Sequence, residues 1–309
     1  LSINLIKSMS RAKNHINDLN VLCSQEAFVF HEMDKLQNVN RIDASDSNKY
    51  AIAIRLGQPF DQHHINVLEN LAPINVYGMF DTIAEDSGYL SITHNLSNHW
   101  QHVARHANGI FYISQFSEKT FCNRYPDAVA LPKYTKLLPT KLSSYVNETS
   151  KQNMLKVQHV LILGNHFAHK ASDATAKNLA KSFPSIKFVV LGASTFVKAN
   201  LQSYRSGTLA PETVEMLFAR ASVVVLPSHV EGFGFGFMHA LAAHKPIVAR
   251  NIGATAEIVA TFSKMSGVFL YDNDLEIQNA LREAMAASQS FVDDSKAIGW
   301  DGWVEGFLH

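Results

Sequence analysis

Residues 221–259 read A-S-V-V-V-L-P-S-H-V-E-G-F-G-F-G-F-M-H-A-L-A-A-H-K-P-I-V-A-R-N-I-G-A-T-A-E-I-V, and their order decides the fold. Val223 to Leu226 is a short valine-rich apolar run, the composition of a parallel strand buried on both faces. After Pro227 and Ser228, glycines at 232, 234 and 236 lead into a helical stretch at 237–243. A strand, a glycine loop and a helix start in that order aim unpaired N–H groups and the positive end of the helix dipole at whatever lies in front. Glycines let a ligand come close to the backbone, so an anion such as phosphate suits the place. A second strand at 246–249 and a glycine turn at Gly253 then lead to Glu257 and another helix. Two such junctions in succession describe one edge of an open α/β sheet, whose strand carboxyl ends form the usual ligand crevice.

G-x-G-x-G lacks the spacing of a dinucleotide fingerprint, so the loop by itself leaves two readings open, a phosphate cradle and a packing turn. The longer pattern, P-S-x-x-E-G-F-G, a helix, P-I-V-A and then G-x-x-x-E-I-V, resembles the donor-binding half of the GT-B glycosyltransferases, family 4 in particular. That resemblance implies an α/β protein of two Rossmann-like domains facing a cleft. It further implies a nucleotide-sugar donor held by the second domain, an acceptor held by the first, and retaining transfer of the sugar to a hydroxyl. The family's E-x7-E motif is half present, with Glu231 in the first position and His239 in the second.

Length and charge fit this outline. The chain has 309 residues, 27 basic and 27 acidic, with 47% hydrophobic residues, enough for two domain cores and against an electrostatic nucleic-acid binder. The cysteines, Cys23 and Cys122, stand far apart outside any C-x-x-C spacing, as in a reduced, cytoplasmic protein. No apolar stretch has transmembrane length, which leaves peripheral membrane association open.

The domains are expected at 1–140 and 159–290, joined by a proline- and lysine-punctuated linker at 141–158 and closed by a helix at 291–309 that returns to the first domain. Residues 1–22 carry the spacing of an amphipathic helix, with Ile3, Ile6, Met9, Ile16, Leu19 and Leu22 on one face. The resemblance implies an opening strand and glycine loop, and neither precedes this helix, so the sequence is expected to start inside its first βα unit. Strands are expected at 27–30, 50–55 and 74–80, with a helix at 62–71. Asp81 then stands at a strand end, where it either caps the next turn or serves the acceptor side. In the resembled family a His-Asp pair ends that strand, and here Phe80 replaces the histidine.

A helix at 95–107 places His99, His102 and His106 on one face, yet no carboxylate or cysteine joins them within the helix, and a metal site is set aside. A strand at 110–113 and a helix capped near Ser117 complete the first domain. In the second, strand 159–163 runs into G-N-H-F-A-H-K-A, then helix 172–183 and strand 187–191. The family carries G-R-x-x-x-x-K-G there, its Arg and Lys holding the donor diphosphate. This chain has Gly164, Asn165 and Lys170.

Lys170 is therefore the expected stabiliser of the leaving phosphate, with Glu231 at the donor sugar's hydroxyls. His166 and His169 flank the same turn, either as protonated stand-ins for the missing Arg or as plain loop residues. The N–H groups of Gly232, Phe233, Gly234 and Phe235 are expected donors to phosphate or sugar, and Ser228 shapes the loop. His239, with one acceptor and one donor, matches ribose less well than a carboxylate does. D-x-D at 272–274 offers a metal reading or a helix cap, and the cap is preferred. No cofactor or metal is expected, the nucleotide sugar being a substrate. The acceptor is expected to be a carbohydrate or a lipid-linked one, in polysaccharide or glycoconjugate synthesis. A rival reading is a partner subunit without transfer, motivated by Asn165, His239 and Phe80. At the C-terminus, Trp300, Trp303 and Phe307 would supply the buried face of the last helix.

Overall fold

The computed structural model describes residues 1–12, 14–87, 95–144, 159–287 and 289–309. The protein is an α/β chain with two Rossmann-like units. The first comprises Leu1–Phe80, Ile92–Pro139 and Ala297–His309, and the second comprises Asp81–Ser91 and Thr140–Lys296. From residue 145 onward the expected linker lies outside the described residues.

The first unit begins with helix α1 (Ser2–Arg11), strand β1 (Leu19–Leu22), helix α2 (Gln25–Phe30) and strand β2 (Val39–Ile42). It continues with β3 (Ile52–Arg55), α3 (Gln62–Leu71) and β4 (Ile74–Met79). After the short α4 (Ile83–Asp86), which packs in the second unit, come α5 (Leu96–His106), β5 (Gly109–Tyr112), α6 (Gln115–Arg124) and β6 (Lys133–Thr135). Strands β3-β4-β5-β6 form a parallel sheet in that order, and β1 and β2 form a separate parallel pair.

Three expectations fail here for local reasons. The opening helix ends at Arg11, and Leu19–Leu22 is a strand instead. Ile16, Leu19 and Leu22 keep a helical spacing, but Leu19 sits opposite Val39 in the ladder and its N–H donates to the Asn38 carbonyl at 2.8 Å. Residues 27–30, apolar enough for a strand, are helical because Ser24 Oγ accepts from the Ala27 N–H and caps the turn. The helix after β5 is capped by Ser114 rather than Ser117, Ser114 Oγ accepting from the Ser117 N–H at 2.9 Å.

The second unit carries β7 (His159–Leu163), α7 (Ser172–Ser182), β8 (Phe188–Gly192), β9 (Phe196–Lys198), β10 (Leu201–Arg205) and α8 (Pro211–Arg220). Then follow β11 (Ala221–Leu226), α9 (Phe235–Ala242), β12 (Ile247–Arg250), α10 (Gly253–Thr261), β13 (Met265–Ser266), β14 (Val268–Tyr271), α11 (Ile277–Ala286) and β15 (Phe291–Val292). The last helix, α12 (Trp300–Leu308), packs in the first unit. There Trp303 is fully buried, its indole N–H donating to the Lys136 carbonyl at 3.2 Å.

The main sheet of the second unit runs β14-β12-β11-β7-β8-β10-β9, parallel except for the edge strand β9. Its core is aliphatic, with Val160, Ile162, Val190, Val223, Val225 and Val248 buried between the helices. From β7 the chain steps outward to β8 and β10, then returns to β11 on the other side of β7 and steps outward again. The strand order therefore reverses between β7 and β11, and open α/β sheets bind ligands at the carboxyl ends of such a pair.

Candidate functional site

Two loops leave the sheet at that reversal. The first, from Gly164 to Ala171, joins β7 to α7, and the second, from Pro227 to Gly234, joins β11 to α9. Gly164 is required because a Cβ there would collide with the Ser172 side chain, so glycine lets the start of α7 close over the end of β7. Asn165 Oδ1 accepts from the Phe167 N–H at 2.9 Å and folds the loop back on itself. A single 3-10 turn then carries His169 and Lys170.

Ala171 follows in the left-handed region at φ +51°, where residues with a Cβ are strained. The family pattern has glycine after the lysine, and the backbone here keeps a glycine's conformation without the glycine. The strain is local to the lysine that the sequence singles out, in keeping with the clustering of strained residues at functional sites.

The second loop reaches back to the first. His229 N–H donates to the His169 carbonyl at 2.8 Å. Lys170 Nζ donates to Glu231 Oε1 at 2.6 Å, with the two side chains 17% and 21% exposed. An ion pair so far out of water is a charge-assisted hydrogen bond of the stronger kind. Gly234 turns the chain at φ +115° and starts α9, whose first turn brings the helix N-terminus to the same edge. Phe233 is buried and Phe235 is 39% exposed, the two rings meeting edge to face at 5.2 Å, so Phe233 forms the loop's base and Phe235 its rim. Ser228 is buried under the loop.

Burial sets the chemistry of the flanking groups. His169 is 3% exposed, its ring stacked on Phe167 at 5.8 Å, and its Nδ1 has no hydrogen-bond partner. Burial first, and then the Lys170 ammonium, pull its pKa below the ordinary imidazole value. Both causes favour the neutral imidazole, whereas a bound diphosphate would push the other way. His166 is exposed, its ring against Phe167 at 4.0 Å.

Asp81 packs with this unit, its carboxylate accepting from the Ile83 N–H at 3.0 Å. Burial lifts its pKa. The Ile83 bond opposes that shift, nearby Glu231 adds to it, and Lys170 works against it. Lys170 thus bonds to Glu231 and acts on Asp81 through its charge alone.

His239 lies about one turn along α9 in an exposed position, its ring 5.7 Å from that of Phe218 on α8. The D-x-D segment does not cap the helix that follows. Glu276 holds the N-cap position of α11 without a side-chain cap bond, its carboxylate accepting from the Asp272 N–H at 2.9 Å, while the Asp274 carboxylate pairs with Arg250. Arg250, at the carboxyl end of β12, also donates to the carbonyls of Pro227 and Asp272, at 3.5 and 3.3 Å, and lies over the Tyr271 ring. It ties the ends of β11, β12 and β14 together, and nothing in the sequence pattern marks it. On α5, His102 Nε2 meets the Glu69 carboxylate at 2.7 Å. Among the described residues no group of three or more His, Cys, Asp or Glu side chains could hold a metal ion. Nor is any described helix long and apolar enough to cross a membrane.

Comparison with known proteins agrees with this architecture. The profile of the family described as glycosyl transferases group 1 matches residues 150–290. No curated protein matches the sequence. Among solved structures, Anabaena HepE in complex with UDP-glucose is similar at 12% identity and TM-score 0.68, covering 99% of this chain and 95% of that one. WaaG, a glycosyltransferase involved in lipopolysaccharide biosynthesis, is similar at 15% identity and TM-score 0.54, covering 99% of this chain and 89% of that one. Sucrose-phosphate synthase from Thermosynechococcus elongatus is similar at 12% identity and TM-score 0.57, covering 84% of this chain and 68% of that one. With the strand reversal, the two facing loops and these matches in hand, the chain has the GT-B fold, and its residues 150–290 match the family described as glycosyl transferases group 1.

Proposed function

We propose that the protein is a retaining, metal-independent glycosyltransferase that moves a sugar from a nucleotide diphosphate to a hydroxyl of a carbohydrate or lipid-linked acceptor. The observation that carries this reading is the Lys170–Glu231 pair at the carboxyl ends of β7 and β11. Lysine faces the diphosphate and glutamate the sugar hydroxyls, and the two groups hold each other while the site is unliganded. Structures similar in fold were solved with UDP-glucose and with UDP, which favours a uridine diphosphate donor.

In the step proposed, the bond between the anomeric carbon and the β-phosphate oxygen breaks and negative charge grows on the departing phosphate. Lys170 and the N–H groups at the start of α9 stabilise that charge in place. The acceptor hydroxyl attacks the anomeric carbon from the face the phosphate leaves, and its proton passes to the departing phosphate oxygen. Acceleration then comes from positioning and fixed dipoles, with no covalent intermediate on the protein. Polysaccharide or glycoconjugate synthesis at the cytoplasmic face of a membrane is the setting that suits such an acceptor.

The experiment is donor hydrolysis and transfer across a panel of nucleotide sugars, comparing the wild-type chain with Lys170→Ala and Glu231→Ala. Turnover on one donor, lowered by both substitutions, supports the reading. A folded protein that turns over no donor favours the alternative of a partner subunit, for which Asn165, His239 and Phe80 are the motivation.

A further inference from the structure

Arg250 grips the loop that carries Glu231 from behind. It is the last residue of β12, its side chain is only 10% exposed, and each nitrogen of its guanidinium donates to a different acceptor. Nε donates to the Pro227 carbonyl at 3.5 Å, Nη1 to the Asp272 carbonyl at 3.3 Å and Nη2 to the Asp274 carboxylate. The ring of Tyr271, buried at the end of β14, lies 5.0 Å from the guanidinium carbon and fixes the plane of the fork. Burial first, and then the Arg250 cation, lower the pKa of His229 while Asp274 opposes, so the His229 imidazole also stands within reach of this hub.

Strands β12 and β14 are joined just past their last ladder pair without help from Arg250. There the Asn251 N–H donates to the Tyr271 carbonyl at 2.8 Å and the Asn251 side-chain amide donates to Asp272 Oδ1 at 2.9 Å. What Arg250 adds is the tie to β11, because Pro227 is the first residue after that strand. Two residues on, the His229 N–H donates to the His169 carbonyl, and two further on Glu231 meets Lys170. The loop is therefore held at Pro227 by Arg250, at His229 by the backbone of the first loop and at Gly234 by the start of α9. Glu231 hangs between these points, and a shift of the Pro227 anchor moves its carboxylate.

We propose that Arg250 is a positioning residue that aims Glu231 at the donor sugar, and so sets the choice among sugars without itself touching the diphosphate. This rests on the function proposed above, in which glutamate faces the sugar hydroxyls and lysine the diphosphate. A carboxylate tells one epimer from another only while its oxygens stand within hydrogen-bonding reach of one particular hydroxyl, and a displacement of about 1 Å costs on the order of a hundredfold in rate. Lysine at position 250 would keep the charge but present a single nitrogen, which cannot reach Pro227, Asp272 and Asp274 together. Asp274, 72% exposed, is the outer arm of the hub, and its loss leaves the Pro227 bond in place. Asp274→Asn should therefore act in the same direction as Arg250→Lys and less strongly.

The test compares the wild-type protein with Arg250→Lys and Asp274→Asn in three measurements. Amide hydrogen exchange over residues 227–234 should quicken by about tenfold in Arg250→Lys and by less in Asp274→Asn, with residues 201–205 of β10 as an unchanged internal reference. Calorimetric affinity for UDP should stay within about threefold of wild type, because Lys170 and the N–H groups of α9 are untouched. The kcat/KM values for UDP-glucose and UDP-galactose should draw together in Arg250→Lys, the preferred sugar losing about tenfold or more. A role in fold stability alone would weaken UDP binding and both sugars alike, and that result overturns the proposal. Unchanged exchange over residues 227–234 overturns it too. A wild-type protein that binds no UDP or turns over neither sugar counts against the function proposed above, and the exchange comparison then decides this inference alone.

Discussion

Lys170 and Glu231 stand 61 positions apart in the chain, on loops from different strands, and their side chains meet at 2.6 Å. Each is held by its own loop, and the His229 N–H bond to the His169 carbonyl clamps the two loops together beside them. The pair is mostly shielded from water, so removing one partner leaves the other charge poorly compensated. Lys170→Met should lower stability by about 1–3 kcal/mol. Lys170→Met with Glu231→Gln should cost less than the two single changes summed, by roughly 1 kcal/mol. Urea denaturation of the four proteins checks this, and strict additivity would mean the pair is not coupled.

Asp81 gives a signed pH prediction. Its folded pKa is raised, first by burial, so its protonated form is favoured by folding and the stability it contributes is present below the unfolded aspartate value of about 3.8. That contribution is lost as pH rises through the folded pKa, with Glu231 pushing the same way and Lys170 and the Ile83 N–H opposing. Asp81→Asn keeps an acceptor for the Ile83 N–H and removes the charge. The variant should be more stable than wild type at neutral pH, with the difference shrinking as pH falls toward the ordinary carboxylate range. Urea midpoints at a series of pH values test it, and a variant less stable at pH 7 than at acid pH, relative to wild type, would refute it.

His169 should act in the opposite direction. Its folded pKa lies below the ordinary value of 6.5, first because of burial and then because of Lys170, so its contribution to stability is full above that value. As pH falls below 6.5 the unfolded chain takes up the proton first and stability declines. Proton NMR of the ring through a titration should show His169 neutral where exposed histidines are already charged. Titration together with the exposed ones would contradict the burial argument.

Ala171 is a site where a single change should stabilise the fold. A residue with a Cβ in the left-handed region costs about 1–2 kcal/mol, and glycine gives back part of this through its freer unfolded chain. Ala171→Gly should therefore gain about 0.5–1 kcal/mol net, read as a higher urea midpoint with an unchanged slope. A lower midpoint would mean that the alanine methyl makes packing contacts worth more than the strain.

The second unit was legible because its sequence states each junction twice, once as an apolar run and once as the glycine loop that follows. Strand β7, the Gly164 turn and β11 all fall where the pattern puts them. Hidden from the pattern were contacts across the sheet. The direct bond between Lys170 and Glu231, the left-handed Ala171 and the bracing Arg250 depend on which strands become neighbours, and spacing along the chain does not encode that. Nothing suggested β9 and β10 either, since Leu201–Arg205 alternates weakly and is fixed by its register against β8. The opening of the first unit misled for a similar reason. Ile16, Leu19 and Leu22 keep a helical interval, and only the partner strand around Val39 reveals that Leu19–Leu22 is extended. At Ala27 the Ser24 cap is a local helix signal that the apolar run at 27–30 masks.

The central claim is that the reversal between β7 and β11 holds a nucleotide diphosphate on Lys170. Calorimetric titration of the wild-type protein and Lys170→Ala with UDP, GDP and ADP tests it most directly. The account predicts binding of one diphosphate by the wild type and a loss of about ten- to a hundredfold in the variant, the value of one charge-assisted hydrogen bond. Equal affinity of the two folded proteins for the same diphosphate would contradict it.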